Sequence, residues 1–314
     1  MSGGLVRQWL AAGELDLPLP GSGRTGQRWQ RLAGLTEIDV VAGRLAEAHA
    51  DAVAILAELG AADPRPDQLW GVWAAESRDE VVRADGDGPA VRLEGTKVWC
   101  SGAGICTHAL VTARTADPDR RGLFAVDLGH PRVRPQPSTW RNAGMAASDT
   151  RSVRFDGAPA VAVGGPGQYL DRPGFWWGAT GVAACWLGGA RAVAAPLYER
   201  AAAGSADPHA LAHLGAVDAA LTAAEATLMA AAGQVDADPA DRAGRAELIA
   251  RRVRAVAETA VDEAINRTAR ALGPGPLCQD ARHAARVADL TVYVRQSHAE
   301  RDLERLGRLA GGDR

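Results

Sequence analysis

The sequence predicts an α+β chain with amino-terminal helices, a middle β-barrel or sandwich and a carboxy-terminal four-helix bundle. Three observations support this prediction. Apolar residues recur at helical spacing early in the chain, and short β-prone runs separated by Gly, Pro and Asp fill its middle. Long alanine-rich segments fill the remainder. The predicted domains are residues 1–65, 66–166 and 167–314.

The amino-terminal part begins irregularly and then becomes helical. Residues 1–30 hold many Gly and Pro residues, and one short helix is expected near residues 5–12. From Thr36 to Leu59 apolar residues return every three or four positions, which predicts a helix. Gly60 follows this segment and is expected to end the helix as a C-cap.

The middle of the chain has the pattern of a small all-β domain. Short apolar runs alternate with turn residues, which is typical of a barrel or sandwich. Glu94-Gly95 is expected to form a turn between two strands, and Trp99 and Ser101 to share one strand face. No G-x-G-x-x-G motif opens a βαβ unit, so a Rossmann site is not predicted. The expected strands are residues 69–75, 80–84, 90–94, 97–100, 107–113, 122–127, 132–136 and 151–155.

The last part of the chain is predicted to be helical. Gly and Pro residues separate four long segments, which favours an up-and-down bundle. Large apolar helix faces of this kind usually also contact a second subunit, so an oligomer is expected. The four segments are residues 173–203, 207–234, 239–272 and 278–307.

Composition and charge exclude several classes of function. Hydrophobic residues make up 47% of the chain, which favours a folded core. The net charge of −3 indicates neither a nucleic-acid partner nor an anionic membrane surface. Lys97 is the only lysine among 35 basic residues. Without a secretion signal or an evident membrane-spanning run, the chain is expected to be cytoplasmic.

No metal site or disulfide framework is predicted. His209 and His213 have i, i+4 spacing, but no carboxylate or cysteine completes a ligand set. The four cysteines form no C-x-x-C pair and lie among apolar residues, so reduced buried thiols are expected. These cysteines are Cys100, Cys106, Cys185 and Cys278.

Three segments resemble a known family in order and spacing. They are Trp73-Ala-Ala-Glu76, Gly95-x-Lys97-x-Trp99-x-Ser101 and the Ser148–Asp156 segment. They resemble the "T-E-P", "G-x-K-x-W-x-(T/S)" and "S-D-T-x-x-V-x-F" segments of the acyl-CoA dehydrogenase superfamily of flavoproteins. The resemblance extends from roughly Glu47 to Leu306.

The resemblance implies FAD as cofactor and assigns residues to it. Trp99 would form the wall beside the flavin ring, and the Ser101 hydroxyl would bond the ring near its reactive nitrogen. Backbone from Trp73 to Glu76 would contact the pyrimidine end. Glu76-Ser-Arg-Asp-Glu80 stands where the family has the glycine-rich "E-P-G-A-G-S-D" turn.

The resemblance also implies a carboxylate base that removes a proton alpha to a thioester carbonyl. The family usually places this base in an "E-G-T" turn, but Ser297 stands at that spacing here. A second family pattern puts the base directly before an arginine at the start of the first bundle helix. On that pattern Asp171 is the base and Arg172 a substrate contact. The alternative for Asp171 is a helix N-cap.

Arg295 and His298 are the last candidates. They are three residues apart, so they are expected to share a helix face. One hypothesis gives them flavin phosphate as ligand, and the other pairs them with Glu300 and Asp302 on a solvated surface.

Three functions remain open from the sequence. The first is an FAD-dependent dehydrogenase acting on an acyl-CoA or acyl-carrier thioester. The second is a non-catalytic or half-site subunit that pairs with a related dehydrogenase. The third is a flavin-dependent monooxygenase on the same scaffold. A homodimer, a homotetramer or a hetero-oligomer is expected, with neither nucleic acid nor membrane as partner.

Overall fold

The computed structural model describes residues 2–86, 90–117 and 120–312. The chain divides into two compact units. The first unit consists of Met1–Leu17, Leu45–Asn142 and Ala146–Phe175. The second consists of Pro18–Arg44, Ala143–Met145 and Trp176–Arg314. The predicted domain boundaries stay predictions.

The first unit contains a β-barrel, as the sequence predicts. Strand β4 has β1 and β2 as parallel neighbours and β5 as its antiparallel neighbour. Strand β2 pairs with β3, β3 with β7 and β7 with β5, so these strands and β4 form a closed ring. Strand β6 pairs with β7. The strands are β1 (Trp70–Trp73), β2 (Val82–Asp85), β3 (Ala90–Cys100), β4 (His108–Arg114), β5 (Arg121–Asp127), β6 (Val133–Pro135) and β7 (Arg151–Ala162).

The expected turn at Glu94-Gly95 is wrong, because β3 continues through it. The pairing register of β3 with β7 shifts between Leu93 and Glu94, which marks a β-bulge. Gly95 has a φ of 119°, and a Cβ there would collide with the carbonyl oxygen of Val81. Because Gly95 has no Cβ, the residue before β2 can approach it closely. The strands expected at residues 90–94 and 97–100 are therefore one strand, β3.

Three helices precede the barrel: α1 (Ser2–Ala11), α2 (Thr25–Ile38) and α3 (Val40–Glu58). The single helix expected from Thr36 is broken at Asp39, whose φ of −150° is extended. The Asp39 carboxylate accepts a hydrogen bond from the Ala42 N–H, so it caps α3. Gly60 ends α3 with a φ of 68°, as predicted.

The remaining chain is helical, as predicted. Gly188 lets two helices approach, because a Cβ there would collide with the carbonyl oxygen of Ala33 on α2. The last predicted segment is divided at Asp280, which caps the next helix through the N–H groups of Arg282 and His283. The helices are α4 (Gln168–Asp171), α5 (Gly174–Ala202), α6 (Pro208–Ala237), α7 (Ala246–Leu272), α8 (Gly275–Gln279), α9 (Ala281–Tyr293) and α10 (Glu300–Gly312).

Two expectations from composition need correction. Helix α6 is long and apolar enough to cross a membrane by length and composition, although core helices of soluble proteins pass the same test. Cys278 is exposed, while the other three cysteines are buried, as expected, and none of the four is in a disulfide. Cys278 lies on the short helix α8, which has no buried residues.

Candidate functional site

Trp99 is the most unusual side chain of the first unit. It has a φ of 59° and remains 63% exposed. Three steps along β3, from Lys97 to Cys100, match two steps along β7, so Trp99 lies in a second β-bulge. A left-handed backbone costs a bulky residue about 1–2 kcal/mol. Such bulges re-aim side chains beside functional sites.

The bulge changes the surroundings predicted for the Trp99 ring. Strand β3 ends at Cys100, so Trp99 and Ser101 do not share one face of a regular strand. Trp140 contacts the Trp99 ring edge-on, with centroids 6.3 Å apart and planes at 88°. Most of Trp99 is left uncovered, which suits a planar aromatic ligand.

Ser101, two residues after Trp99, belongs to a row of three hydroxyl groups. The Ser101 Oγ lies 3.0 Å from the Thr150 Oγ1, which lies 2.7 Å from the Ser148 Oγ. The Trp73 Nε1 donates to the Ser101 carbonyl oxygen at 2.9 Å. This contact brings two predicted flavin-binding residues together. An uncovered indole beside a hydroxyl fits the wall and the hydrogen-bonding group that a flavin ring requires.

The carboxylate of Glu76 forms hydrogen bonds and ion pairs within the first unit. Its Oε1 accepts hydrogen bonds from the Lys97 Nζ at 3.1 Å and from the Thr112 Oγ1 at 3.0 Å, and its Oε2 lies 3.5 Å from the Arg121 Nε. Burial alone would raise the pKa of Glu76, but Lys97, Thr112 and Arg121 together lower it. The side chain therefore fixes the segment after β1, and a backbone contact to flavin stays a prediction.

Asp171 lies apart from the start of α5. It is exposed and is the last residue of α4. The N–H of Gly174, the first residue of α5, instead donates to Glu58 at 3.1 Å. Glu58 therefore caps the start of α5, which is the role that the N-cap alternative assigned to Asp171. The role of Asp171 as a base stays a prediction.

Arg172 is buried and paired with the same glutamate. Its Nη1 donates to the Glu58 Oε2 at 2.6 Å, and its guanidinium lies over the Tyr169 ring. Sequence reasoning missed Glu58, because more than a hundred residues separate it from its partner. The predicted contact of Arg172 with substrate stays a prediction.

Arg295 and His298 belong to the second unit, and each is paired there. Arg295 lies within ion-pair distance of Glu258 and Asp262, and His298 lies 3.6 Å from Asp302. Arg295 is in a 3-10 turn and His298 precedes α10, so they do not share one regular helix face. Asp302 is the partner that the solvated-surface alternative names.

Ser297 occupies the spacing of the family's usual base. Its Oγ donates to the Glu258 Oε2 at 2.6 Å, so a carboxylate from α7 lies beside this position. A cavity of about 10 Å³ there is lined by Ser297, Glu258 and Arg254, among others. That volume holds about one water molecule.

Metal chemistry has no site in the part of the chain that the structure describes. Among residues 2–86, 90–117 and 120–312, no three His, Cys, Asp or Glu side chains are grouped to hold an ion.

Comparison with known proteins agrees with these features. Residues 74–158 match the family model described as "Acyl-CoA dehydrogenase, middle domain". No curated protein matches the chain in sequence. The matched range contains Trp99 and Ser101 and begins directly after Trp73.

Several solved structures share the fold over the whole chain. Dibenzothiophene monooxygenase TdsC from Paenibacillus sp. A11-2 is 19% identical, with a TM-score of 0.78, covering 100% of this chain and 95% of that one. A nitrososynthase from Micromonospora carbonacea var. africana is 18% identical, with a TM-score of 0.80 and coverages of 96% and 88%. FkbI, for biosynthesis of the methoxymalonyl extender unit of Fk520, is 15% identical, with a TM-score of 0.83 and coverages of 99% and 93%.

At these identities the likeness establishes the fold, which agrees with the helices and barrel described above. The chain therefore shares the fold of these solved structures, and its residues 74–158 match the middle-domain model of the acyl-CoA dehydrogenases.

Proposed function

We propose that the chain is a flavin-dependent oxidoreductase of the monooxygenase type. The single observation that carries the proposal is Trp99, which remains exposed on a strained backbone, two residues before Ser101. A strained backbone conformation persists only where the surrounding structure holds it in place, and such residues cluster at active sites and ligand-binding sites. A bound flavin would supply redox chemistry that protein side chains lack.

The chain's own residues would bind and orient the ring. Trp99 would cover one face of it, and Ser101 would donate to a ring nitrogen through its hydroxyl. Backbone from Trp73 to Glu76 would contact the ring edge. Arg295 and His298 are the candidates for flavin phosphate, and binding it would require them to exchange their present carboxylate partners.

FMN is favoured over FAD within this proposal. The glycine-rich turn that helps to hold the flavin in the acyl-CoA dehydrogenase superfamily is replaced here by Glu76-Ser-Arg-Asp-Glu80. TdsC has been solved with FMN bound. FMN lacks the second phosphate and the adenosine, so it requires fewer protein donors.

The monooxygenase is preferred because Ser297 stands at the spacing of the family's usual base, and the other candidate, Asp171, is exposed on a short helix. TdsC is named as a monooxygenase, and its chain is covered almost completely. Oxygenation of an electron-rich substrate requires no base to remove a proton alpha to a carbonyl.

An acyl-thioester dehydrogenase remains the second candidate. It is favoured by the pattern Asp171-Arg172-Pro173 and by FkbI, whose name connects that protein with a polyketide extender unit. In this candidate Asp171 removes the α-proton of an acyl-CoA or acyl-carrier thioester, and Arg172 contacts the substrate. A half-site subunit that pairs with a related dehydrogenase is the non-catalytic outcome of the test below.

The test is flavin binding followed by two reactions. We expect FMN to bind more tightly than FAD, and Trp99→Ala to weaken binding by about fivefold or more, since stacking of a planar ring on an aromatic side chain contributes about 1–3 kcal/mol. Trp99→Phe, which keeps a ring, is the matched control. Without any acyl thioester, the purified chain should change the rate at which reduced FMN consumes oxygen, relative to reduced FMN alone, which reacts with oxygen by itself.

The alternatives give different results. Bleaching of bound flavin by an acyl-CoA, lost in Asp171→Asn with the flavin retained, would establish the dehydrogenase instead. A chain that binds neither flavin would contradict both enzymes and support the half-site subunit.

A further inference from the structure

Lysine occurs once in this chain. Of 35 basic residues, only Lys97 is not arginine. Wherever a surface cation is sufficient, the chain uses arginine. A lone lysine therefore marks a position where a guanidinium group is a poor substitute, because arginine presents a planar fork and lysine a compact ammonium with three donors.

The surroundings of Lys97 agree with that expectation. The residue is 4% exposed, and its Nζ donates to the Glu76 Oε1, the Thr112 carbonyl oxygen and the Thr112 Oγ1 at 3.1, 3.0 and 2.8 Å. Three acceptors match the three N–H bonds of the ammonium group. Removal from water lowers the pKa of Lys97, and the adjacent Glu76 carboxylate opposes this effect.

Lys97 joins two segments that strand pairing does not join. Glu76 follows the end of β1, in a stretch without regular structure. On its own strand, Lys97 is the last residue in register before the bulge that carries Trp99. The Cys100 Sγ, just beyond the bulge, donates to the Lys97 carbonyl oxygen at 3.2 Å.

We propose that Lys97 is a positioning residue, whose ammonium couples residues 74–81 to the turn at residues 99–101 and so fixes the ring-binding face. The ring-binding part of this inference rests on the proposed function. The coupling between the two segments does not rest on the proposed function, because it concerns contacts within the first unit. Lys97 acts through Glu76 and through the bulge, and its buried ammonium leaves no donor for a ligand.

The first test uses the fact that Lys97 carries the only ε-amine. An amine-reactive acetylating reagent should modify Lys97 far more slowly in the native chain than in urea, with each rate taken relative to the amino-terminal amine, because α-amines in general react faster than lysine at neutral pH. Glu76→Gln should speed the native modification by about tenfold or more, since hydrogen bonds to charged groups contribute about 1.5–3 kcal/mol. Native labelling of Lys97 as rapid as its labelling in urea would overturn the proposal.

The second test separates coupling from local anchoring. In amide hydrogen exchange, Glu76→Gln should speed exchange both at residues 74–81 and at residues 99–106. Glu94→Gln is the matched control, because Glu94 lies on the same strand and its carboxylate forms an exposed ion pair with Arg154. Faster exchange confined to residues 74–81 would reduce Lys97 to a local anchor and would refute the coupling.

The third measurement connects the coupling to the ring. Glu76→Gln should raise the flavin dissociation constant by about tenfold with little change in the FMN-to-FAD preference, whereas Glu94→Gln should leave both unchanged. Unchanged flavin affinity, with exchange altered in both segments, would refute the positioning role. If the native chain binds no flavin, the proposed function fails, while labelling and exchange still decide the coupling.

Discussion

At the scale of single residues, Asp289 offers a test of buried charge. Its Oδ1 accepts the Met145 N–H at 2.6 Å within the second unit. Burial raises the pKa of Asp289, and the charge of Asp39 raises it further. The hydrogen bond from the Met145 N–H lowers this pKa, but the net shift is upward. An acid whose folded pKa is raised destabilises the fold while ionised, and this cost disappears as the pH falls through that pKa.

We therefore predict opposite results for two substitutions of Asp289. Asp289→Asn keeps an oxygen acceptor for the Met145 N–H and removes the unfavourable charge. At pH 7 its free energy of unfolding, measured by urea titration, should equal or exceed that of the native chain. Asp289→Ala leaves the N–H unpaired and should lose about 1–3 kcal/mol.

Acid titration adds an independent check on Asp289. The advantage of Asp289→Asn over the native chain should shrink as the pH falls toward 4, because the native carboxyl then becomes neutral too. Asp262→Asn is the control, since Asp262 is an exposed carboxylate of the same unit. Its stability should change by less than about 0.5 kcal/mol. A loss in Asp289→Asn equal to that in Asp289→Ala would contradict the assigned cost of the charge.

Trp99 illustrates how much of the candidate site a sequence can predict. The spacing from Gly95 to Ser101 identified the residue, because a short motif fixes its place along the chain. The left-handed backbone could not be predicted, since a bulge depends on which residues of β7 pair with Lys97 and Cys100. Glu58 gave no signal at all, because its partners lie far away in sequence.

At the scale of elements, the beginnings of helices depend on acidic side chains. Asp39, Asp207 and Asp280 cap α3, α6 and α9 by accepting backbone N–H groups of the first turn. Their short carboxylates override the apolar periodicity that predicted continuous helices across residues 39 and 280. Periodicity shows where a helix can form, and the caps decide where it begins.

Glu58 plays the corresponding part for α5 from a distance, and this leads to a prediction. Glu58→Ala would leave the buried Arg172 unpaired and the Gly174 N–H without its acceptor. We expect a loss of about 1–3 kcal/mol in the free energy of unfolding, because Glu58 is itself partly exposed. Thermal and urea unfolding would both measure it.

A matched pair of variants isolates the charge of Glu58. Glu58→Gln retains the hydrogen-bond acceptor and should lose less than Glu58→Ala. Glu199→Gln, an exposed position near the other end of α5, should be neutral. Equal stability of Glu58→Ala and the native chain would show that the start of α5 does not depend on this residue.

At the scale of the whole molecule, the order of elements was predictable. Turn residues divided the middle into short strands, and alanine-rich runs marked the carboxy-terminal helices. Closure of the barrel could not be predicted, because it depends on β4 pairing with both β2 and β5. Pairings of this kind join residues distant in sequence, and local patterns carry little information about them.

Helix α6 raises the question of what covers its apolar surface. Only 28% of its most apolar window is buried. Small exposed residues at intervals of three or four form one face, which would let another helix approach closely. This face consists of Ala212, Gly215, Ala219 and Ala223. A second copy of the chain is the partner that an apolar face with so few charges favours.

We predict that the chain associates through this face of α6. Analytical ultracentrifugation should give a dimer or larger species for the native chain, and Ala219→Arg with Ala223→Arg should shift it to monomer, because two charges would be desolvated at the contact. Ala202→Arg, at the exposed end of α5, is the control and should leave the mass unchanged. A native chain that is monomeric at micromolar concentration would contradict this prediction. Flotation with lipid vesicles would instead identify a lipid surface as the partner of α6.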